Sequence, residues 1–467
     1  MSILSGSIDG KRVVFDVYDD CLQWRDLQTE TRTSIRADDI VCILPGLNNQ
    51  DGSYRLIFIT WYTEIDESGS EKEFPRLATL HASNLPSMLL SRYMCRHIPC
   101  HLKSSCSNIY IVISTISGTG KGKTLFEEVL KPFLSHIPEV DYKVYETASD
   151  QTIIQLSRKV FLPQARNGIP QTIILLSGDG GLLDIIDAFF TEQEEKAVFA
   201  PPSIALIPTG TGNAMANSIG LLSRSDFGLA ALLRGRPQPL PTFVATFSPE
   251  AKYITDEGRG RERINTVSAS ETSYPTIYGA VVASWGMHAS LVADSDTAEY
   301  RRYGPDRFKM AAKELLYPSG GAETHKYKGK VRLTKLDSGT GKEDTQMVDR
   351  TEHMYVLATL VSNLEKNFTI SPVSTPLDGR LRVVHFGPMP PDEAMNLMSL
   401  AYKGGRHVHQ PSVGYEEIEK IRIEFDEADE KWRRVCIDGK IVAVEQDGWM
   451  EVRKERRRLL NLIACLS

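Results

Sequence analysis

The pattern of apolar and polar positions divides the chain into stretches of different period. In residues 1–100, short runs rich in β-branched and aromatic residues lie at 11–18, 39–45, 54–64 and 76–82, and turn-forming clusters such as 47–52 separate them. They predict the strands of a small β-rich unit, with 85–98 as a following helix. From residue 108 the pattern changes. Apolar runs at 108–115, 171–176 and 203–208, with a further strand at 141–147, alternate with helical segments at 123–137, 152–161 and 182–193. A wholly apolar run marks a strand buried on both faces. Strands alternating with helices predict right-handed crossovers and a mostly parallel sheet over 107–241. Strands return over 242–452, interrupted by a helical stretch at 298–316, and predict an antiparallel β lobe. Segment 249–272 is polar and reads as a mobile loop. In the tail 453–467, Lys454, Arg456, Arg457 and Arg458 precede Leu459, Leu460, Leu462 and Ile463. This is a basic-amphipathic pattern that suits an anionic membrane surface, or a helix packed on the body.

Composition narrows the class. A length of 467 residues allows about two to four domains. The 54 basic and 60 acidic residues leave a net charge of −6, which argues against nucleic acid as the main partner, since phosphate needs a basic face. No apolar run approaches the roughly 20 residues of a bilayer span, and the first residues lack a signal-peptide pattern. Seven thinly spread cysteines suit a reducing compartment, so the expectation is a cytoplasmic protein. Cys95, His97, Cys100, His101 and Cys106 cluster, but their spacing matches no common closed zinc site.

Three glycine-rich turns fall at the ends of three predicted parallel strands. The first carries Gly118, Gly120, Lys121, Gly122 and Lys123; the second, Ser177, Gly178, Asp179, Gly180 and Gly181; the third, Thr209, Gly210, Thr211, Gly212 and Asn213. Ligands of open α/β sheets bind at that edge, where glycines let backbone N–H groups approach a phosphate. The first turn misses a P-loop by one residue, Ser117 standing where glycine is required. Asp179 has two readings, a helix N-cap or a carboxylate that takes a proton from a substrate hydroxyl. Asn213 likewise reads as an N-cap or a ligand contact.

The order GTGKGK, SGDGG, PTGTGNA resembles the diacylglycerol kinase catalytic superfamily, and Asn213-Ala214 resembles its sphingosine and ceramide kinase branch. Trp285-Gly286, Glu299 to Phe308, Ser371-Pro372, Leu377 to Leu381 and Ile437-Asp438-Gly439 resemble later motifs of that branch. The resemblance implies a Rossmann-like α/β lobe that binds ATP with Mg²⁺, joined to a β-sandwich lobe that binds a membrane lipid. It implies peripheral membrane contact and transfer of the γ-phosphate to the primary hydroxyl of a sphingoid-type lipid. Diacylglycerol or ceramide as acceptor, or an inactive relative, are the alternatives. By resemblance, Asp179 is the catalytic base, and Thr147, Arg301, Arg307, Asp438 and Gly439 join the three turns around the nucleotide. No dedicated metal ligand is assigned. A substrate-binding carboxylate is implied after Trp285; Ser290 stands at the ungapped position, and Asp294 and Asp296 take the role across an insertion. Departures stand at Ser114-Thr115, usually Asn-Pro, at Asp184, usually Glu, and at Lys440, usually Glu. The N-terminal sheet and helix suit a pleckstrin-homology-like module, or an extra sheet packed on the main body.

Overall fold

A computed structural model describes all residues except 1–3, 19–20, 47–52, 66–68, 70, 116, 119, 193–197, 269–272, 305, 320, 338 and 466–467. The turn expected at 47–52 therefore lies outside the described residues.

Seven strands between Leu4 and Ala82 form one antiparallel sheet in the spatial order 4-3-2-1-7-6-5, and helix Ser87–Tyr93 closes it. Side chains of a strand alternate between faces. In strand Tyr54–Ile65, Leu56 and Phe58 join Phe15 and Leu22 in the module's own core. Ile57 and Ile59 point the other way, onto Phe126, Val129 and Phe133 of the next lobe. The unit has a core of its own and is also packed on the body.

The α/β lobe is built on β1 (Asn108–Ile113), β2 (Tyr142–Glu146), β3 (Gln171–Ser177) and β4 (Ser203–Pro208), parallel in the order β2-β1-β3-β4. Every residue of β3 and β4 is buried, which is why both read as unbroken apolar runs. α1 (Asp179–Thr191) follows β3, and α2 (Ala214–Ser218) follows β4. The helical stretches after β1 and β2 each contain a π-turn, Phe126–Leu130 and Ser157–Phe161, just before Pro132 and Pro163. Proline removes an amide donor from the helix ladder, and a π-turn absorbs the irregularity.

The tail is a correction. Residues Asn461–Ala464 form a strand that pairs in parallel with β4 and antiparallel with Arg236–Pro239, extending the α/β sheet. Leu460, Leu462 and Ile463 are buried there, so the apolar half of the tail serves the core rather than a membrane. Its periodicity was too short to separate strand from helix.

The remaining lobe contains two eight-stranded antiparallel sheets, whose core includes Phe243, Phe247, Trp285, Val331, Ile421 and Val452. One sheet carries β5 (Val282–Gly286), β6 (Arg434–Ile437) and β7 (Lys440–Ala443); α3 (Met287–Ser295) and α4 (Asp306–Leu316) project from it. The mobile-loop reading of 249–272 is also corrected. Strands Lys252–Thr255, Gly260–Arg263 and Thr266–Ser268 lie there; the first two form a hairpin whose inner strand pairs with β7. Edge strands with solvated side chains lack the apolar alternation on which strand prediction depends. Residues 269–272 are outside the described set. A single apolar cluster joins Phe189 and Phe190 of α1 to Tyr278, Val282, Tyr355 and Phe386, so the two lobes share a core at their junction. Among the described residues, no helix is long and apolar enough to cross a membrane.

Candidate active site

The three glycine turns stack on one another. Ser117 Oγ accepts the Gly178 N–H at 2.9 Å, and the Thr209 N–H donates to the Ser177 carbonyl at 3.1 Å. A Cβ on Gly210 would lie 2.5 Å from Gly178 Cα, and one on Gly118, at φ +58°, would lie 2.1 Å from the Thr209 carbonyl oxygen. Backbone packing thus dictates glycine at these points. Gly180 differs: it is exposed and borders open space. Thr209 Oγ1 is buried and has no hydrogen-bond partner, an orphan that a ligand oxygen would satisfy. Thr211 and Gly212 are half-buried beside it.

Asn213 holds the third turn closed. Its Oδ1 accepts the Gly210 N–H at 3.0 Å, and its Nδ2 donates to the Gly210 carbonyl at 2.6 Å. Its backbone sits at φ 50°, a left-handed conformation that asparagine tolerates. Asn217 Nδ2 donates to the Gly212 and Asn213 carbonyls at 3.0 and 3.1 Å. No motif pointed to Asn217; only the helical spacing of four from Asn213 was available to find it. Thr147 Oγ1 accepts the Thr115 N–H at 3.0 Å and so ties β2 to the start of the first turn. In that turn, Gly120 closes a bond to the Ser117 carbonyl at 3.0 Å, and a Cβ on Gly122 would meet the Ser114 carbonyl at 2.9 Å. Lys123 pairs with Glu146 at 3.1 Å, and Lys121 Nζ lies 5.6 Å from the ring centre of Phe74 in the N-terminal sheet.

Asp179 opens α1, whose N-cap is Gly178, so it does not cap its own helix by side chain. Its carboxylate instead accepts the first two amides of α2, Ala214 N–H at 2.6 Å and Met215 N–H at 3.0 Å. Burial raises its pKa, and the two amide donors offset part of that rise. Asp438 and Gly439 form the two-residue turn between β6 and β7, both with positive φ, as a type I′ hairpin requires. The Asp438 carboxylate accepts three consecutive amides, Ala280 at 2.7 Å, Val281 at 3.0 Å and Val282 at 2.6 Å. Burial and then the nearby charge of Asp179 push its pKa up to about 7, against the pull of those amides. A buried carboxylate of one lobe, Asp438, thus lies within electrostatic reach of a half-buried carboxylate of the other, Asp179. A narrow apolar recess lies between their anchoring segments, lined by Met215, Ile219, Ala280, Leu360, Val361 and Leu377. Ser218 Oγ accepts the Asn363 N–H at 3.0 Å across the same junction, a contact the sequence did not signal.

The remaining expected residues belong to α3, α4 and the segment between them. Arg307, on α4, approaches Asp296 and the Ser295 carbonyl at 3.5 Å. Asp294 pairs with Arg434 at 2.8 Å. Ser290 is buried and accepts the Tyr327 hydroxyl at 2.8 Å. Arg301 ends helix Ala298–Arg301; its side chain is outside the described set. The Cys95 thiol donates to the His97 carbonyl and His101 Nε2 lies 2.8 Å from the Leu232 carbonyl oxygen, so these two members of the cysteine–histidine cluster have separate partners.

Residues 108–244 match the family model of the diacylglycerol kinase catalytic domain. The chain is similar to sphingosine kinase B of Dictyostelium discoideum, at 40% identity over 73 residues, 16% of this chain and 9% of that protein. It is also similar to sphingosine kinase 1 of Caenorhabditis elegans, at 26% identity over 44% of this chain and 38% of the relative. These alignments span well under two thirds of the curated relatives. A crystal structure of a diacylglycerol kinase from Bacillus anthracis str. Sterne aligns over 77% of this chain and 97% of its own at 12% identity, with a TM-score of 0.44. The three stacked turns and the aspartate between them fall within the segment that matches the diacylglycerol kinase catalytic domain, and the chain is similar over part of its length to proteins named sphingosine kinases.

Proposed function

We propose that the chain is a lipid kinase that transfers the γ-phosphoryl group of ATP to the primary hydroxyl of a sphingoid-type lipid. The observation that carries this reading is Asp179, held by two amides of α2 among three stacked glycine turns and beside an apolar recess. The turns offer backbone N–H groups and the orphan Thr209 hydroxyl to phosphate oxygens. Asp179, its pKa raised by burial, accepts the proton of the lipid hydroxyl as that oxygen attacks phosphorus.

The acidic residues supply no cage of three ligands among the described residues. Mg²⁺ would come with the triphosphate, and Asp179 and Asp438 are the carboxylates at the site that would stand behind it. When bound, Mg²⁺ neutralises the charge that develops on the phosphoryl oxygens. The sphingoid acceptor is supported by the relatives named as sphingosine kinases. In this reading residues 107–241 bind nucleotide, 242–452 bind lipid, and the protein works in the cytoplasm with peripheral contact to a membrane.

The test is transfer of labelled γ-phosphate from Mg-ATP to sphingosine, phytosphingosine, ceramide and diacylglycerol. A labelled sphingoid product is expected, and Asp179→Asn should lower its rate about 10²–10⁴-fold. Label on diacylglycerol or ceramide alone would replace the acceptor. No label on any lipid, from protein that binds ATP, would leave a nucleotide-binding relative without turnover.

A further inference from the structure

Beyond Asp179, α1 carries two more carboxylates, Asp184 and Asp187. They are three residues apart and so share one helix face. Asp187 is only 4% exposed, and its carboxylate lies 3.4 Å from the Thr191 hydroxyl. Across the lobe junction stands Lys440, the first residue of β7, with its Nζ 2.7 Å from Asp184 Oδ1. The ammonium also lies 5.8 Å from the ring centre of Tyr253, whose strand pairs with β7. Burial raises the pKa of both aspartates, and Lys440 is the strongest influence drawing each back. The position of this bridge is what matters. Lys440 is two residues from Asp438 in the same tight hairpin; Asp184 is five residues from Asp179 on the same helix. The bridge therefore ties together the two elements that carry Asp179 and Asp438.

We propose that Lys440 is a positioning residue, a cation built into the chain that latches the β6–β7 hairpin onto α1 and so fixes Asp438 relative to Asp179. Asp179 and Asp438 belong to different lobes and repel when both are charged; the Lys440–Asp184 pair adds a polar fastening between their elements to the apolar core the lobes share. A carboxylate at this position would set a third negative charge against Asp184 and Asp187. A lysine sets one positive charge beside them, paired with Asp184. The catalytic consequence rests on the lipid kinase reading; the coupling between the two side chains does not.

The experiment is a double-mutant cycle in the full-length chain with Lys440→Gln, Asp184→Asn and the pair, read by thermal unfolding and by kinetics. Breaking one partner of a half-buried pair leaves the other charge uncompensated, so each single variant should lower Tm by about 3–6 °C. The double variant should lie no lower than the worse single. In the transfer assay, Lys440→Gln should lower kcat about tenfold with KM for ATP nearly unchanged, and Lys440→Arg should recover most of it. Additive losses of Tm, or wild-type kcat in Lys440→Gln, would overturn the proposal. Should Lys440→Gln fail to fold, the swapped pair Asp184→Lys with Lys440→Asp decides: recovery of folded protein supports the latch, and failure to recover overturns it. If the wild-type chain transfers no phosphate, the functional reading fails, while the Tm cycle still reports on the latch.

Discussion

The glycines of the three turns are alike in sequence but not in what constrains them. Gly210 faces Gly178 Cα at 2.5 Å from an added Cβ, whereas Gly180 faces open space. Gly210→Ala must push two backbones apart, and a loss of about 1–3 kcal/mol of stability is expected, measured by urea unfolding. Gly180→Ala should leave that stability within about 0.5 kcal/mol of wild type. Any loss of activity in Gly180→Ala then reports on the ligand rather than on packing. Asp179 makes a second prediction. Its carboxyl must be ionised to accept a proton, and burial holds its pKa above the ordinary value. As pH falls, the group protonates earlier than a free carboxylate would. The acidic limb of the kcat/KM profile should therefore lie above the usual carboxylate pKa of about 3.9. A limb at or below that value would remove Asp179 as the base.

Among the elements, the C-terminal strand Asn461–Ala464 is the one whose role changed most. It inserts between β4 and Arg236–Pro239, so it closes one side of the sheet on which the turns are built. Leu462 is fully buried in the same cluster as Ile204 and Leu206. Leu462→Ala should cost about 2–5 kcal/mol, seen as a lower urea midpoint. A free tail would show no such loss. α2 is also more than a connection. It has only five residues, yet its first two amides hold Asp179, its Asn217 holds the third turn, and its Ser218 reaches the other lobe. It joins phosphate turn, base and lobe junction in one short element.

For the molecule as a whole, the N-terminal sheet and the α/β lobe bury apolar side chains against one another: Val41, Ile57, Ile59 and Leu77 on one side, Leu125, Phe126, Val129 and Phe133 on the other. Polar contacts reinforce this, Arg234 to the Val41 carbonyl at 2.8 Å and Arg55 to the His136 carbonyl at 3.3 Å. A chain starting at residue 107 would expose that face, so it should aggregate or unfold well below the full-length protein in a thermal scan. Equal Tm for the two would mean that the module is an independent attachment. Much of this architecture was legible in the residues. β3 and β4 are buried on both faces, so their apolar runs and the turns after them stood out, and with them Asp179. Asp438 was reached only through the resemblance of Ile437-Asp438-Gly439 to a family motif. The hairpins within 252–268 and the strand at 461–464 were not, because an edge strand is defined by its neighbour and a short apolar run fits strand or helix. Local sequence by itself determined the alternation of strand and helix, the glycine turns and the candidate base, since these depend on backbone freedom and burial period within a few residues. Only the tertiary structure decided that Asp179 is held by the amides of α2, that Asp294 and Asp296 meet arginines, and that Lys440 reaches Asp184. Those partners are up to 256 residues apart, and nothing short of the packed lobes brings their charges within hydrogen-bond range.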